Sequence, residues 1–154
     1  MSASQEPSGG LVGTRFFSGT YDEAISLAVR TRDYLVGAGA LAQKQLDPAT
    51  RVTFNLESSR IVSRIAYMMV WLLYQRAVHA GEVGIETAIA DSPELCGLDF
   101  CSESWGRDPA QLPGGLVTLW DESLRLYRRV SRLDEMVRRD LPSPERAVEA
   151  PLHH

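Results

Sequence analysis

The sequence predicts an all-α protein, a three-helix antiparallel bundle with one long central helix that also joins two copies of the chain. Three observations predict it. Helix-start signals stand at Thr20 and at Asp47-Pro48, no Gly or Pro interrupts the chain from there to Gly81, and a stripe of apolar residues recurs every three or four positions from Leu116 onward.

Residues 1–19 are rich in Ser, Gly and Pro and read as a flexible arm whose end is pinned to the core by Phe16 and Phe17. The helical domain then covers residues 20–140. Its first helix begins at "TYDE", with Thr20 as N-cap and Glu23 closing a capping box. Tyr21, Ile25, Ala28, Arg32 and Leu35 follow at helical spacing, and Gly37 and Gly39 weaken the helix near Val36–Ala40. The second helix starts where Asp47 caps and Pro48 occupies the first position, which needs no N–H, and it runs to about Ala80. At 1.5 Å per residue that is about 50 Å. In its first half Val52, Leu56, Ile61, Val62 and Ile65 alternate in patches with Arg51, Glu57, Arg60 and Arg64, which reads as an amphipathic surface.

Residues 81–115 carry nine Gly and Pro positions, from Gly81 to Gly115, and read as a long connection with one short helix inside "GEVGIETAIAD". The third helix spans about Leu116 to Asp140 and buries Leu116, Trp120, Leu124, Tyr127, Val130, Leu133 and Val137. Pro142 and Pro144 end it. Residues 141–154 have too little apolar content to pack and read as a flexible tail, ending in His153-His154.

Composition excludes several functional classes. The chain has 154 residues, 44% of them hydrophobic, enough for one domain with a real core. Its net charge of -4 lacks the basic field typical of nucleic-acid binders. Cys96 and Cys101 are too few for a disulfide framework, and the first residues carry no signal-peptide pattern, so the chain reads as cytoplasmic.

No constellation for catalysis stands out. Cys96, Cys101 and His79 lack the fourth ligand and the knuckle spacing of a structural zinc site. His79 is better placed to favour the carbonyl end of its helix. "LVGAGALAQ" has neither the dinucleotide nor the P-loop spacing, and no nucleophile elbow is present. No metal or cofactor is expected.

Two surfaces carry the expectation of binding. From Ile65 to Tyr74, in "RIAYMMVWLLYQR", every residue is apolar or aromatic, so no face is left for water, yet the run is half the roughly 20 residues a bilayer requires. With Met69, Leu72 and Leu73 turned inward, Tyr67, Met68, Val70, Trp71 and Tyr74 need further cover, and a second copy of the chain is preferred over Leu95, Leu98, Phe100 and Trp105 of the connection. On the third helix Arg125, Arg128, Arg129, Arg132 and Arg139 fall within an arc of roughly 100°, opposite the apolar stripe. Such a face is either solvated and ion-paired or a docking surface for an acidic partner. Nucleic acid is the weaker alternative for the same arginines.

The segment "ESSRIVSRIAYMMVWLLYQRAVHAGE", Glu57 to Glu82, resembles the RcdA-like family of α-proteobacteria, most characteristically in "WLLYQRAVHAGE", where the apolar run passes into Gln75-Arg76-Ala77-Val78. A weaker likeness extends over about residues 15–140 through "TRDYL". The resemblance implies a homodimeric adaptor without catalytic activity or cofactor. Such adaptors act in cell-cycle proteolysis, helping the ClpXP protease receive substrates such as the regulator CtrA alongside receiver-domain and cyclic-di-GMP-binding proteins. Carried to this chain, it makes Gln75, Arg76 and the arginine stripe candidate docking residues.

Overall fold

The computed structural model describes residues 9–84, 87, 101 and 108–140. Among them the protein is all-helical, with no strand: α1 (Gly9–Val36), α2 (Ala38–Lys44), α3 (Pro48–His79), a 3₁₀ turn (Pro109–Gln111) and α4 (Gly114–Asp140). The short helix expected within "GEVGIETAIAD", the apolar residues of the connection, Cys96 and the tail lie outside the described residues.

α1 corrects the expected start. It begins at Gly9, so residues 9–19 are helical rather than an irregular arm, and Thr20 sits mid-helix with its hydroxyl donating to the Phe16 carbonyl at 3.0 Å. The reason is tertiary. Phe17, one turn upstream, packs on Trp71 at 5.9 Å and on His79 at 5.0 Å between ring centroids, contacts that a local capping signal does not weigh. Phe16 stays 45% exposed and only touches the edge of Phe17. The inward face of α1 is Thr20, Ala24, Leu27 and Thr31, with Tyr21, Ala28 and Leu35 half-buried beside it, while Ile25 and Arg32 are exposed.

α1 stops where its glycine predicts. The Gly37 N–H closes on the carbonyls of Asp33 and Tyr34, and α2 follows at once. Tyr34 explains the small residues nearby: a β-carbon on Gly39 would stand 2.8 Å from its ring, and one on Gly115 of α4 would overlap it.

α3 begins and ends as its sequence predicts. Asp47 caps it, accepting from the Thr50 N–H at 3.1 Å and from the Thr50 hydroxyl, and these bonds, the hydroxyl's first, hold the Asp47 carboxyl below its usual range. At the other end Gly81 adopts φ 74°, and the N–H groups of Gly81 and Glu82 close on the carbonyls of Val78 and Ala77. That is a Schellman motif, which satisfies carbonyls the helix itself cannot.

Helices α1, α3 and α4 all touch one another. α1 runs antiparallel to α4, since Glu23 meets Arg129 and Arg30 meets Glu122. It is antiparallel to α3 as well, Phe17 lying by His79. α3 and α4 are parallel, however: Glu57 meets Trp120, Arg64 meets Ser123 and Trp71 meets Asp134. The expectation of a wholly antiparallel arrangement is corrected here. At up to about 3.3 Å per residue the connection between α3 and α4 is long enough to return along the whole of α3 before α4 begins.

The core runs along the stripe Leu116, Leu119, Trp120, Leu124, Tyr127 and Val130 of α4, as its period predicts, with Leu133 and Val137 half-buried. The first half of α3 is as expected at Ile61 and Ile65, which are buried, and at Arg51, which is exposed, but is inverted elsewhere. Its charged residues Glu57, Arg60 and Arg64 are buried, while Val52, Leu56 and Val62 face outward.

Candidate interaction surfaces

The inversion of α3 rests on a buried polar hub. Both Glu57 carboxylate oxygens accept from Arg60 Nη1 at 2.9 Å, and Oε2 also accepts from the Trp120 indole N–H at 2.7 Å. Arg64 is wholly buried; its Nε donates to the Cys101 carbonyl at 2.6 Å, and its Nη1 donates to the Trp120 carbonyl and the Ser123 hydroxyl. The guanidinium also lies 4.4 Å above the Trp120 ring. Burial, with Arg60 close by, lowers the Arg64 guanidinium to about 10, so it remains charged at neutral pH. The Glu57–Arg60 pair lies within α3, and the Trp120 and Arg64 bonds join α3 to α4 and to Cys101. The hub is architecture rather than an exposed site.

With Glu57, Arg60 and Arg64 inside, the outward surface of α3 carries no charge between Val52 and Leu73. Val52, Leu56, Val62, Val70 and Leu73 are all exposed, Val70 by 57% and Leu73 by 47%, with Ser59, Ser63 and Ala66 on the same side. From Val52 to Leu73 this surface is about 30 Å long. Of the residues expected at a dimer or core seam, Met68 and Trp71 are fully buried within the chain, Trp71 donating its indole N–H to Asp134 at 2.7 Å. Tyr67 is half-buried against the core, and Tyr74 donates to the Thr87 carbonyl at 3.3 Å. Val70 alone of the five is widely exposed, and Leu73, expected inside, joins it.

The docking residues also separate. Gln75 is buried, 4% exposed, in register with Met68 and Trp71 on the inward stripe, which corrects its expected surface role. Arg76, one residue on, is exposed and lies 5.5 Å over the Tyr21 ring. On α4 the arginine face is real: Arg125, Arg128, Arg132 and Arg139 are exposed and Arg129 half-buried, opposite the buried stripe. Arg129 pairs with Glu23 of α1, and Arg139 lies 3.8 Å from Glu135 one turn back. Arg125, Arg128 and Arg132 make no ion pair among the described residues.

Cys101 is buried and its thiol is pushed up by burial, the Arg64 charge opposing. It sits at the level of Arg64, about 20 Å along α3 from His79. Among the described residues no three His, Cys, Asp or Glu side chains gather to hold a metal ion, and no helix is long and apolar enough to cross a membrane.

Sequence reasoning missed the outward placement of Val52, Leu56, Val62 and Leu73. A signal for it was present. Glu57, Arg60, Arg64, Met68, Trp71 and Gln75 step along α3 by three and four residues without a break, so the inward stripe of the second half runs straight back through the charges.

Comparison with known proteins agrees with this architecture. A family model described as a protein of unknown function (DUF1465) matches residues 10–154. The solved structure of RcdA from Caulobacter crescentus CB15 is similar at 34% identity, with a TM-score of 0.64, over 78% of this chain and 88% of that one. No curated protein matches. The helical order, the "WLLYQRAVHAGE" segment and these two matches lead to one conclusion: the chain belongs to the DUF1465 family, the RcdA-type family.

Proposed function

We propose that this protein is a cytoplasmic, non-enzymatic adaptor in regulated proteolysis and cell-cycle control, which binds partner proteins and passes substrates to the ClpXP protease. Membership of the RcdA-type family supports the reading, and one structural observation carries it to particular residues. Arg125, Arg128 and Arg132 project from one side of α4 with no ion pair among the described residues, while Arg129 and Arg139 on the same side are engaged. Exposed arginines can bind carboxylates in bidentate fashion, so the three suit an acidic protein surface. A receiver-domain or cyclic-di-GMP-binding protein is the partner the family resemblance implies.

The working form is a homodimer built on the outward surface of α3. A surface with no charge between Val52 and Leu73 is a poor neighbour for water, and a two-fold partner presenting the same surface would cover it. Val70 and Leu73 form its C-terminal end.

A pull-down from the native host's lysate with tagged protein, read by mass spectrometry after nuclease treatment, tests the adaptor role. Recovery of the ClpX unfoldase or a receiver-domain protein, lost when Arg125, Arg128 and Arg132 are all changed to Glu, is expected. Unchanged recovery in that variant would remove the arginine face from the account, and nuclease-sensitive capture would overturn the reading.

A further inference from the structure

At the end of α3 remote from its N-cap, a cavity of about 470 Å³ opens between that helix and the first half of α1. Half-buried Phe17 gives the cavity its apolar wall, with Leu72, only 1% exposed, at its floor. Arg76 stands one helical turn beyond Leu72 on the same side of α3 and reaches over Tyr21, and His79 lies beside Phe17. Ser18 and Asp22 of α1 and Ala80 complete the lining.

The charges in this cavity have an unusual arrangement. Arg76 makes no ion pair among the described residues; its guanidinium is held by the face of Tyr21, which orients a cation without neutralising it. Asp22 likewise makes no ion pair there. A cation and an anion therefore line one partly apolar space without having found each other. A ligand suits it that carries a carboxylate for Arg76, an N–H for Asp22 and an apolar group for the wall.

We infer that this cavity receives the C-terminus of a protein ending in an apolar residue. The inference rests on the adaptor reading and deepens it by giving a recognition site for a client. Leu72 and Arg76 are four residues apart, so their β-carbons stand about 6 Å apart. At a chain terminus the carboxylate and the last side chain share one α-carbon and fit within that distance. An internal acidic residue in an extended peptide projects opposite to its immediate neighbours, which separates carboxylate from apolar group. The preceding peptide N–H is then available to Asp22. Arginine's planar fork suits such a carboxylate bidentately.

Fluorescence anisotropy of the full chain with an N-terminally labelled hexapeptide, Ser-Gly-Ser-Gly-Leu-Leu, tests this directly. Saturable binding of the free-acid peptide is expected, weakened about tenfold or more by C-terminal amidation or by Arg76→Gln, the loss expected of one charge-assisted contact. Arg32→Gln, on an exposed arginine of α1 away from the cavity, serves as the charge control and is expected to bind as the parent does. Equal binding of acid and amide, or an Arg76→Gln protein that binds as the parent, overturns the inference. If peptide binding is absent while partner capture through the α4 arginines persists, the inference falls and the adaptor reading stands.

Discussion

Arg64 is the residue on which the inward turn of α3 depends most. A buried cation is costly unless its donors are used, and here three separate bonds take them up: to the Cys101 carbonyl, the Trp120 carbonyl and the Ser123 hydroxyl. Lysine at this position keeps the charge but cannot reach all three acceptors from one nitrogen. Arg64→Lys is therefore expected to cost about 2 to 3 kcal/mol in urea unfolding followed by circular dichroism. A change within about 0.5 kcal/mol would show that the hub is not a stabilising centre. Glycines give a second residue-scale test, because two of them predict opposite signs. Gly19 lies within α1 with nothing within 4 Å of an added β-carbon, so Gly19→Ala is expected to stabilise by about 0.5 to 1 kcal/mol through helix propensity. Gly115→Ala is expected to destabilise, since the new methyl group would displace the Tyr34 ring. Thermal melts of the two variants should move in opposite directions.

Among the elements, α3 is where sequence reading and structure agree least in detail and most in outline. Its limits were legible because they depend on local chemistry: Asp47 and Pro48 at one end, Gly81 at the other. The inward surface was legible only as a period running through Glu57, Arg60 and Arg64, charges that argue against burial until the Trp120 indole N–H from α4, sixty-three residues away in sequence, is seen to satisfy Glu57. The same distance effect moved the start of α1, where Phe17 finds Trp71 and His79. By contrast the stripe and the arginine face of α4 follow from its own period alone, and both were read correctly. The outward surface of α3 then gives a prediction at this scale. Val70→Glu with Leu73→Glu is expected to turn a dimer into a monomer in sedimentation velocity with the helical signal intact, since both side chains are exposed in the single chain. Trp71→Ala is expected instead to lower stability by about 3 to 5 kcal/mol, as a fully buried aromatic does. A double variant that still sediments as a dimer would exclude this surface as the seam.

For the whole molecule, the docking residues show how far a sequence carries toward function. Gln75 and Arg76 are adjacent, and resemblance marked them together, yet one turns into the core and the other toward Tyr21, a distinction that only the register of α3 makes. The arginines of α4 were legible as a face, but which of them remain without an acidic partner depends on Glu23 of α1 and on Glu135. What emerges is a helical body with three arginines on α4 that make no ion pair among the described residues, a side of α3 without charge from Val52 to Leu73, and a cavity at the far end of α3. The central claim is that such a body increases the delivery of substrates to a protease. The most direct measurement is the degradation rate of a client identified by pull-down, using purified ClpXP and ATP, with and without this protein and its captured partners. The account predicts faster degradation in its presence and a return to the unassisted rate with the Arg125→Glu, Arg128→Glu, Arg132→Glu variant. A rate unchanged by the parent protein would contradict it.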